Sequence, residues 1–248
     1  MSIQDLRLQA AFTQKTALKV ISGLNNFDQS QVLAVAKAAQ AGGATFVDIA
    51  ADSGLIRQVR QAISLPICVS AVEVDQLVQA VDTGADLIEI GNFDSFYAQG
   101  RRFEASEVLA LTQAVRKHLP HTTLSVTVPH ILTLAEQIDL AQALVTAGAD
   151  IIQTEGGTSS HPQSAGVLGL IEKAASTLAA AHAISRAVDV PVLCASGLSD
   201  VTVPMAIAAG ACGVGVGSAI NQLNDDVAMV AAVRRLVDAI TVSTTVAH

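Results

Sequence analysis

Three charged residues stand where an apolar run should continue: Lys19 in ALKVISG, Asp48 in FVDIA and Glu89 in LIEIG. A fourth, Glu155, closes such a run at the bend Gly156-Gly157, and His130 follows Pro129 at the end of another. A buried charge without a partner is costly, so each of these groups must pair, shift its pKa or reach water. Together they are the candidates for catalysis. Lys19 beside a carbonyl would serve as an electrophile or an imine-forming amine, with Asp48, Glu89 or Glu155 moving the proton and His130 acting as a general base near neutral pH. The same residues also read as an ion network that fixes strand register, with Glu155 anchoring its loop on backbone donors. Strand alternation leaves open whether Lys19 faces inward or toward the helices.

A second constellation occupies residues 194–220, CASGLSDVTVPMAIAAGACGVGVGSAI. Two consecutive apolar runs end there in small residues, and Ser196, Gly197, Gly217 and Ser218 are the candidates for gripping a phosphate. Small side chains let main-chain N–H groups approach an anion, and a helix from Ala219 onward would add its N-terminus. The competing reading is that these glycines only ease packing. Arg101 and Arg102 read either as a clasp for a second anion or as solvated loop charges. Cys68 and Cys194 read as small hydrophobes, since no base adjoins either.

These residues need a frame that brings strand ends together. One phrase recurs four times, as AGGATFVDIA at 41–50, TGADLIEIG at 83–91, AGADIIQTEGG at 147–157 and AGACGVGVGSA at 209–219. In each, a helix stops at a glycine and a short apolar strand begins. Apolar runs bounded by Gly, Pro or Asp fall at Ala17–Gly23, Phe46–Ala50, Pro66–Ala71, Leu87–Phe93, Thr123–Pro129, Ile151–Gly156, Pro191–Gly197 and Gly213–Ile220. Helical spacing separates them, for example at Gln31–Ala41, Val74–Thr83, Ala105–Leu119, Leu132–Ala147, Thr202–Ala209 and Val227–Ile240. Eight alternating units predict an α/β fold, a single (β/α)8 TIM barrel over residues 1–248, in preference to a doubly wound sheet, which would carry GxGxxG after its first strand. Residues 2–16 predict an extra helix closing the N-terminal mouth, capped by Ser2 and apolar through Ile3, Leu6, Leu8, Ala11 and Phe12. Long connections at 92–103 and 157–169 fall on the C-terminal face, where barrel enzymes build their sites.

Composition limits the partners. A chain of 248 residues that is 51% hydrophobic and 15% charged can bury a large core, and a net charge of −8 without a basic block argues against nucleic acid and anionic membrane surfaces. Its three cysteines fall in no zinc-binding spacing, and no metal ligand set is read from the sequence. The N-terminus lacks an apolar signal core, and glycines and charges interrupt every candidate membrane span. Cytoplasm or plastid stroma is the expected location. Homo-oligomerisation stays open.

The segment 194–220 resembles the phosphate-binding module of ribulose-phosphate-binding and flavin-nucleotide-binding barrels. With ALKVISGLNNFD at 17–28, VDIA at 47–50, CVSAVE at 68–73, IEIGNFDSFY at 88–97, TEGG at 154–157 and CASGLS at 194–199, nearly the whole chain resembles the hypothetical chloroplast open reading frame 23 family of cyanobacteria and plastids. That resemblance implies a phosphate-binding barrel and supplies no reaction. Thiazole synthase is the nearest functional analogy, through Glu89 and Gly91. The chain departs from it at Leu87, where that enzyme's imine-forming lysine would stand, and at Ala195, where its aspartate would. The resulting expectation is a protein that binds or converts a small phosphorylated metabolite by isomerase, epimerase or lyase chemistry. The alternatives are an FMN-binding oxidoreductase and a non-catalytic metabolite sensor or assembly partner; no cofactor is assigned.

Overall fold

In the computed structural model, which describes residues 3–246, strand and helix alternate from end to end. The order is α1 (Leu6–Thr13), β1 (Ala17–Gly23), α2 (Gln29–Gly42), β2 (Phe46–Ala50), α3 (Ser53–Ala62), β3 (Ile67–Ala71), α4 (Val74–Thr83), β4 (Leu87–Ile90), α5 (Asp94–Tyr97), α6 (Ala105–His118), β5 (Thr123–Thr127), α7 (Leu134–Thr146), β6 (Ile151–Gln153), α8 (Gly166–Ile184), β7 (Val192–Ala195), α9 (Val203–Ala208), β8 (Gly213–Val216), α10 (Ser218–Asn221) and α11 (Asp226–Val246). The eight strands are parallel and close, β8 pairing back onto β1, into the expected barrel.

The junctions into the strands alternate in chemistry. Before β2, β4, β6 and β8 the chain turns at Gly43, Gly84, Gly148 and Gly210, all at left-handed φ between 91° and 114°. A proline instead lies just before each of β3 and β7, Pro66 and Pro191. Two residues past three of the glycines, a side chain accepts a backbone N–H from the preceding strand. Thr45 takes Leu18 N at 2.9 Å, Asp86 takes Ile67 N at 2.7 Å and Asp150 takes Leu124 N at 3.0 Å. Both aspartates also bind an arginine from a neighbouring helix, Arg60 and Arg116. In three of its four occurrences the recurring phrase thus staples a pair of strands in register.

Alternation along the strands sorts the core. Leu18, Val20, Val47, Ile49, Ile67 and Val69 pack outward with Val32, Val35, Leu55 and Val59 of the helices, each contributing about 1.5–3 kcal/mol through burial. Ala17, Phe46, Cys68, Leu87, Ile151 and Leu193 fill the barrel floor, where Ile3, Leu8 and Phe12 seal it. This is the mouth-closing role expected of the N-terminal helix. Its cap is Asp5, whose carboxylate accepts Arg7 N and Leu8 N, while Ser2 lies outside the described residues. Leu6, expected on the apolar face, is 78% exposed.

Five strands stop two to four residues short of the apolar runs that announced them, at Ile90, Thr127, Gln153, Ala195 and Val216 in place of Phe93, Pro129, Gly156, Gly197 and Ile220. Asn92, Gly156, Ser196 and Gly197 adopt positive φ, which takes the chain out of the ladder and builds the mouth. The expected loop 157–169 ends earlier, at the start of α8. By length and composition α8 is also long and apolar enough to cross a membrane, contrary to the sequence reading. In the barrel its buried stripe of Ala174, Thr177, Ala181 and Ile184 lies inward, and the Thr177 hydroxyl donates to the Ala195 carbonyl at 2.5 Å.

Candidate functional site

Inside the barrel, one layer above the apolar floor, Lys19, Asp48 and Glu89 meet. Lys19 points inward and is fully buried. Its Nζ lies 2.7 Å from Glu89 Oε2, 3.6 Å from Asp48 Oδ2 and 3.0 Å from Gln153 Oε1. The carboxylates are saturated in turn. Ser70 donates to Asp48 at 2.5 Å and Ser125 to Glu89 at 2.7 Å, while Gln153 Nε2 donates to Glu89 at 2.8 Å and to Thr127 at 3.1 Å. Asn92 Nδ2 reaches both acids from above, at 3.2 Å and 3.3 Å.

Burial alone would lower the Lys19 pKa, yet the Asp48 and Glu89 carboxylates around it hold the pKa above the ordinary lysine value. The amine is therefore charged and has no lone pair to offer a carbonyl. Burial pushes Asp48 up to about 6; Lys19 pulls it back and Glu89 adds to the rise. Burial likewise raises the Cys68 thiol beneath. The strands deliver this cluster by their period of two: Lys19, Asp48, Ser70, Glu89, Ser125 and Gln153 each sit where the side chain faces the barrel axis. Gly91 is required by the same crowding, since a Cβ there would stand 2.0 Å from Thr127 Oγ1.

A second cluster occupies the mouth. Glu155, 3% exposed, accepts at Oε1 from Tyr97 Oη at 2.6 Å and His130 N at 3.2 Å, and at Oε2 from Asp94 N at 3.2 Å. His130 Nδ1 lies 3.2 Å from Glu155 Oε1 and 3.5 Å from Asp94 Oδ1, and Nε2 lies 3.0 Å from Ser159 Oγ. Ser159 also donates to Asp94 Oδ1, and Ser196 donates to Asp94 Oδ2 at 2.8 Å. Burial raises the Glu155 pKa against the pull of His130; burial works the other way on His130, but Glu155 and Asp94 bring its pKa above the usual value. Burial and the Glu155 charge raise the Tyr97 phenol, which stays a donor.

Between the two clusters opens a cavity of about 170 Å³. Ser196, Gly197, Gly217 and Ser218 line it together with Asp94 and Glu155, and Asn92 and Gln153, also in its lining, bond the buried charges below. All four phosphate candidates thus share one space with Glu155, whereas Lys19, Asp48, Glu89 and His130 act on it only through their hydrogen-bonded neighbours. Ser196 and Gly197 are held at φ 78° and 74°, and Gly197 packs so tightly on Gly157 that a Cβ would approach its Cα to 2.7 Å. Gly197 is thus held by close packing at a left-handed turn, and both it and Ser196 line the cavity. The helix expected from Ala219 is the four-residue α10. Arg101 stacks over Phe103 at 4.4 Å and pairs with Glu107, away from this cavity.

Sequence reading missed Asp94, Tyr97, Ser159 and Gln153. Gln153 carries a signal in hindsight, as an inward position of β6 in phase with the other polar strand residues. Asp94 and Tyr97 bound the four-residue α5 and Ser159 sits on a loop, segments too short or irregular for periodicity to mark them.

A family model described as "Protein of unknown function (DUF561)" matches residues 2–246. A relative from Pyropia yezoensis, "Uncharacterized protein ycf23", is 43% identical over 219 residues, covering 88% of this chain and 80% of the relative. Among solved structures, 3-hexulose-6-phosphate synthase superposes with a TM-score of 0.64 at 19% identity, over 90% of this chain and 99% of that one. Thiamine phosphate pyrophosphorylase from Pyrococcus furiosus gives 0.60 at 19% identity, over 96% and 99%. At such identity the structural likeness shows the barrel alone.

Proposed function

Since the chain belongs to the DUF561 family, whose members include the proteins named ycf23, we propose that it binds a small phosphorylated metabolite at the barrel mouth and carries out isomerase, epimerase or lyase chemistry on it. The observation that carries this reading is the single cavity in which Ser196, Gly197, Gly217 and Ser218 face Glu155. Backbone donors at the ends of β7 and β8 take the phosphate. The other end of the ligand lies over Asn92, Gln153 and Glu155, and Glu155, backed by His130, handles charge and protons there. Both solved structures named above carry "phosphate" in their names, which accords with an anion at this rim.

Lys19, Asp48 and Glu89 are positioning residues in this scheme. They hold Gln153 and Asn92, the two amides that reach the ligand. A cavity of about 170 Å³ is smaller than the about 300–1,000 Å³ of drug-sized ligand pockets, which favours a compact sugar or keto phosphate over FMN. The proposed setting is a plastid stroma or cyanobacterial cytoplasm, with a small molecule and not a nucleic acid as partner.

The test is a panel of keto and aldehyde sugar phosphates, each beside its dephosphorylated counterpart, followed by NMR in heavy water. At least one phosphorylated member binds and exchanges a carbon-bound proton, and Glu155→Gln slows that exchange by about 100-fold or more. If no member binds more tightly than its dephosphorylated partner, the reading fails.

A further inference from the structure

We infer that Asp94, His130 and Glu155 hold a divalent metal cation at the edge of the mouth cavity. Three elements supply one ligand atom each: Asp94 Oδ1 from α5, His130 Nδ1 from the loop after β5 and Glu155 Oε1 from the loop after β6. All three atoms lie within 4.8 Å of one another, with His130 Nδ1 3.2 Å from Glu155 and 3.5 Å from Asp94. Metal bonds of about 2.0–2.2 Å to nitrogen and carboxylate oxygen put neighbouring ligands about 3.0–3.5 Å apart, so the two edges of the triangle that meet at His130, 3.2 Å and 3.5 Å, have the length of ligand–ligand edges in a coordination shell.

The hydrogen bonds around the triangle fix its polarity. Ser159 gives its hydroxyl proton to Asp94 Oδ1, so its oxygen accepts from His130 Nε2 at 3.0 Å. Nε2 then carries a proton, and Nδ1 aims at two carboxylate oxygens. Only a proton or a metal ion on Nδ1 makes that arrangement attractive. Tyr97 donates to the ligating oxygen Oε1 of Glu155 at 2.6 Å and Ser196 to the other oxygen of Asp94 at 2.8 Å, and the two hydroxyls orient the carboxylates as outer partners do around bound metals.

A second observation is the charge of the cavity. Asp94 and Glu155 are its only charged lining residues; no lysine or arginine among the described residues lines it. Lys173, whose stem packs against Gly197, is not part of that lining. A phosphorylated ligand entering two carboxylates with no cation would be repelled, and a divalent ion between them reverses the sign. This second argument rests on the anion reading proposed above. It assigns the ion a role there: Glu155 and His130 act on the ligand through a Lewis acid. One imidazole with two carboxylates suits manganese, cobalt or zinc better than magnesium or calcium.

The experiment uses the full chain after chelator treatment, titrated with Mn2+ alone and followed by calorimetry and by the electron paramagnetic resonance of free Mn2+. One Mn2+ binds per chain, and Asp94→Asn and His130→Gln each weaken it by about tenfold or more. Because no phosphate compound is present, failure here leaves the phosphorylated-ligand reading standing. Ser159→Ala, which removes only an outer hydroxyl, guards against misfolding of the ligand variants and also weakens binding. Absence of Mn2+ binding to the unaltered chain, or undiminished binding in both ligand variants, overturns the site.

Discussion

Each side chain of the two clusters has its partners, and the clusters differ in what they can do. Lys19, Asp48 and Glu89 are closed off: every contact is internal, and the lysine stays charged. The mouth cluster has a face on the cavity. Asp48 offers the cleaner test of the buried charges. Its folded pKa of about 6 lies above the ordinary value of 3.8, so its contribution to stability is complete below about pH 4 and is lost as pH rises through about 6. Urea melts of the protein and of Asp48→Asn across that window will show the unaltered chain losing stability relative to the variant up to about pH 6, then a constant difference; a flat difference throughout contradicts the burial argument. The three charges were legible as candidates because each interrupts an apolar run. Their inward direction was not, because Lys19 alone fits either face of β1, and only Gln153 and the neighbouring strands decide it. Of the triangle, His130 and Glu155 were each legible as candidates, but Asp94 and the meeting of all three were not, since they lie 36 and 25 positions apart on separate elements.

The elements are set by the repeated glycine phrase, and here sequence spoke most clearly. All four glycines end their helices in the left-handed conformation that was expected of them. The acid that follows had no assigned work, yet Asp150 ties Arg116 to the Leu124 amide of β5. Asp150→Ala will cost about 2 kcal/mol in equilibrium unfolding, because a partly buried guanidinium and a backbone donor lose a charged acceptor together. Asp150→Asn, which keeps an oxygen for Leu124 N, will cost clearly less. Equal losses in the two variants would show that the staple does not set the register. Strand ends were read too long, since apolar residues such as Phe93 and Ile220 continue past the ladder to pack the loops and α10. Composition cannot distinguish a buried loop anchor from a strand residue.

At the scale of the molecule, eight parallel strands closed by α1 bring the small residues at 196–197 and 217–218 and the carboxylates of Asp94 and Glu155 into the lining of one cavity. The closed barrel was legible from the count of alternating units. The cavity was not, because it depends on how the loops after β4, β6 and β7 fold over one another, with Ser196 bonding Asp94 across 102 residues of sequence. The barrel explains why those residues meet, and the charge of the mouth explains what they could hold. The most direct measurement is a crystal structure of the chain with a bound sugar or keto phosphate. The account predicts the phosphate within hydrogen-bonding distance of the main chain at Gly197 and at Gly217–Ser218, with the carbon skeleton over Glu155; a phosphate seated in another cavity, with this rim closed by its own side chains, would contradict it.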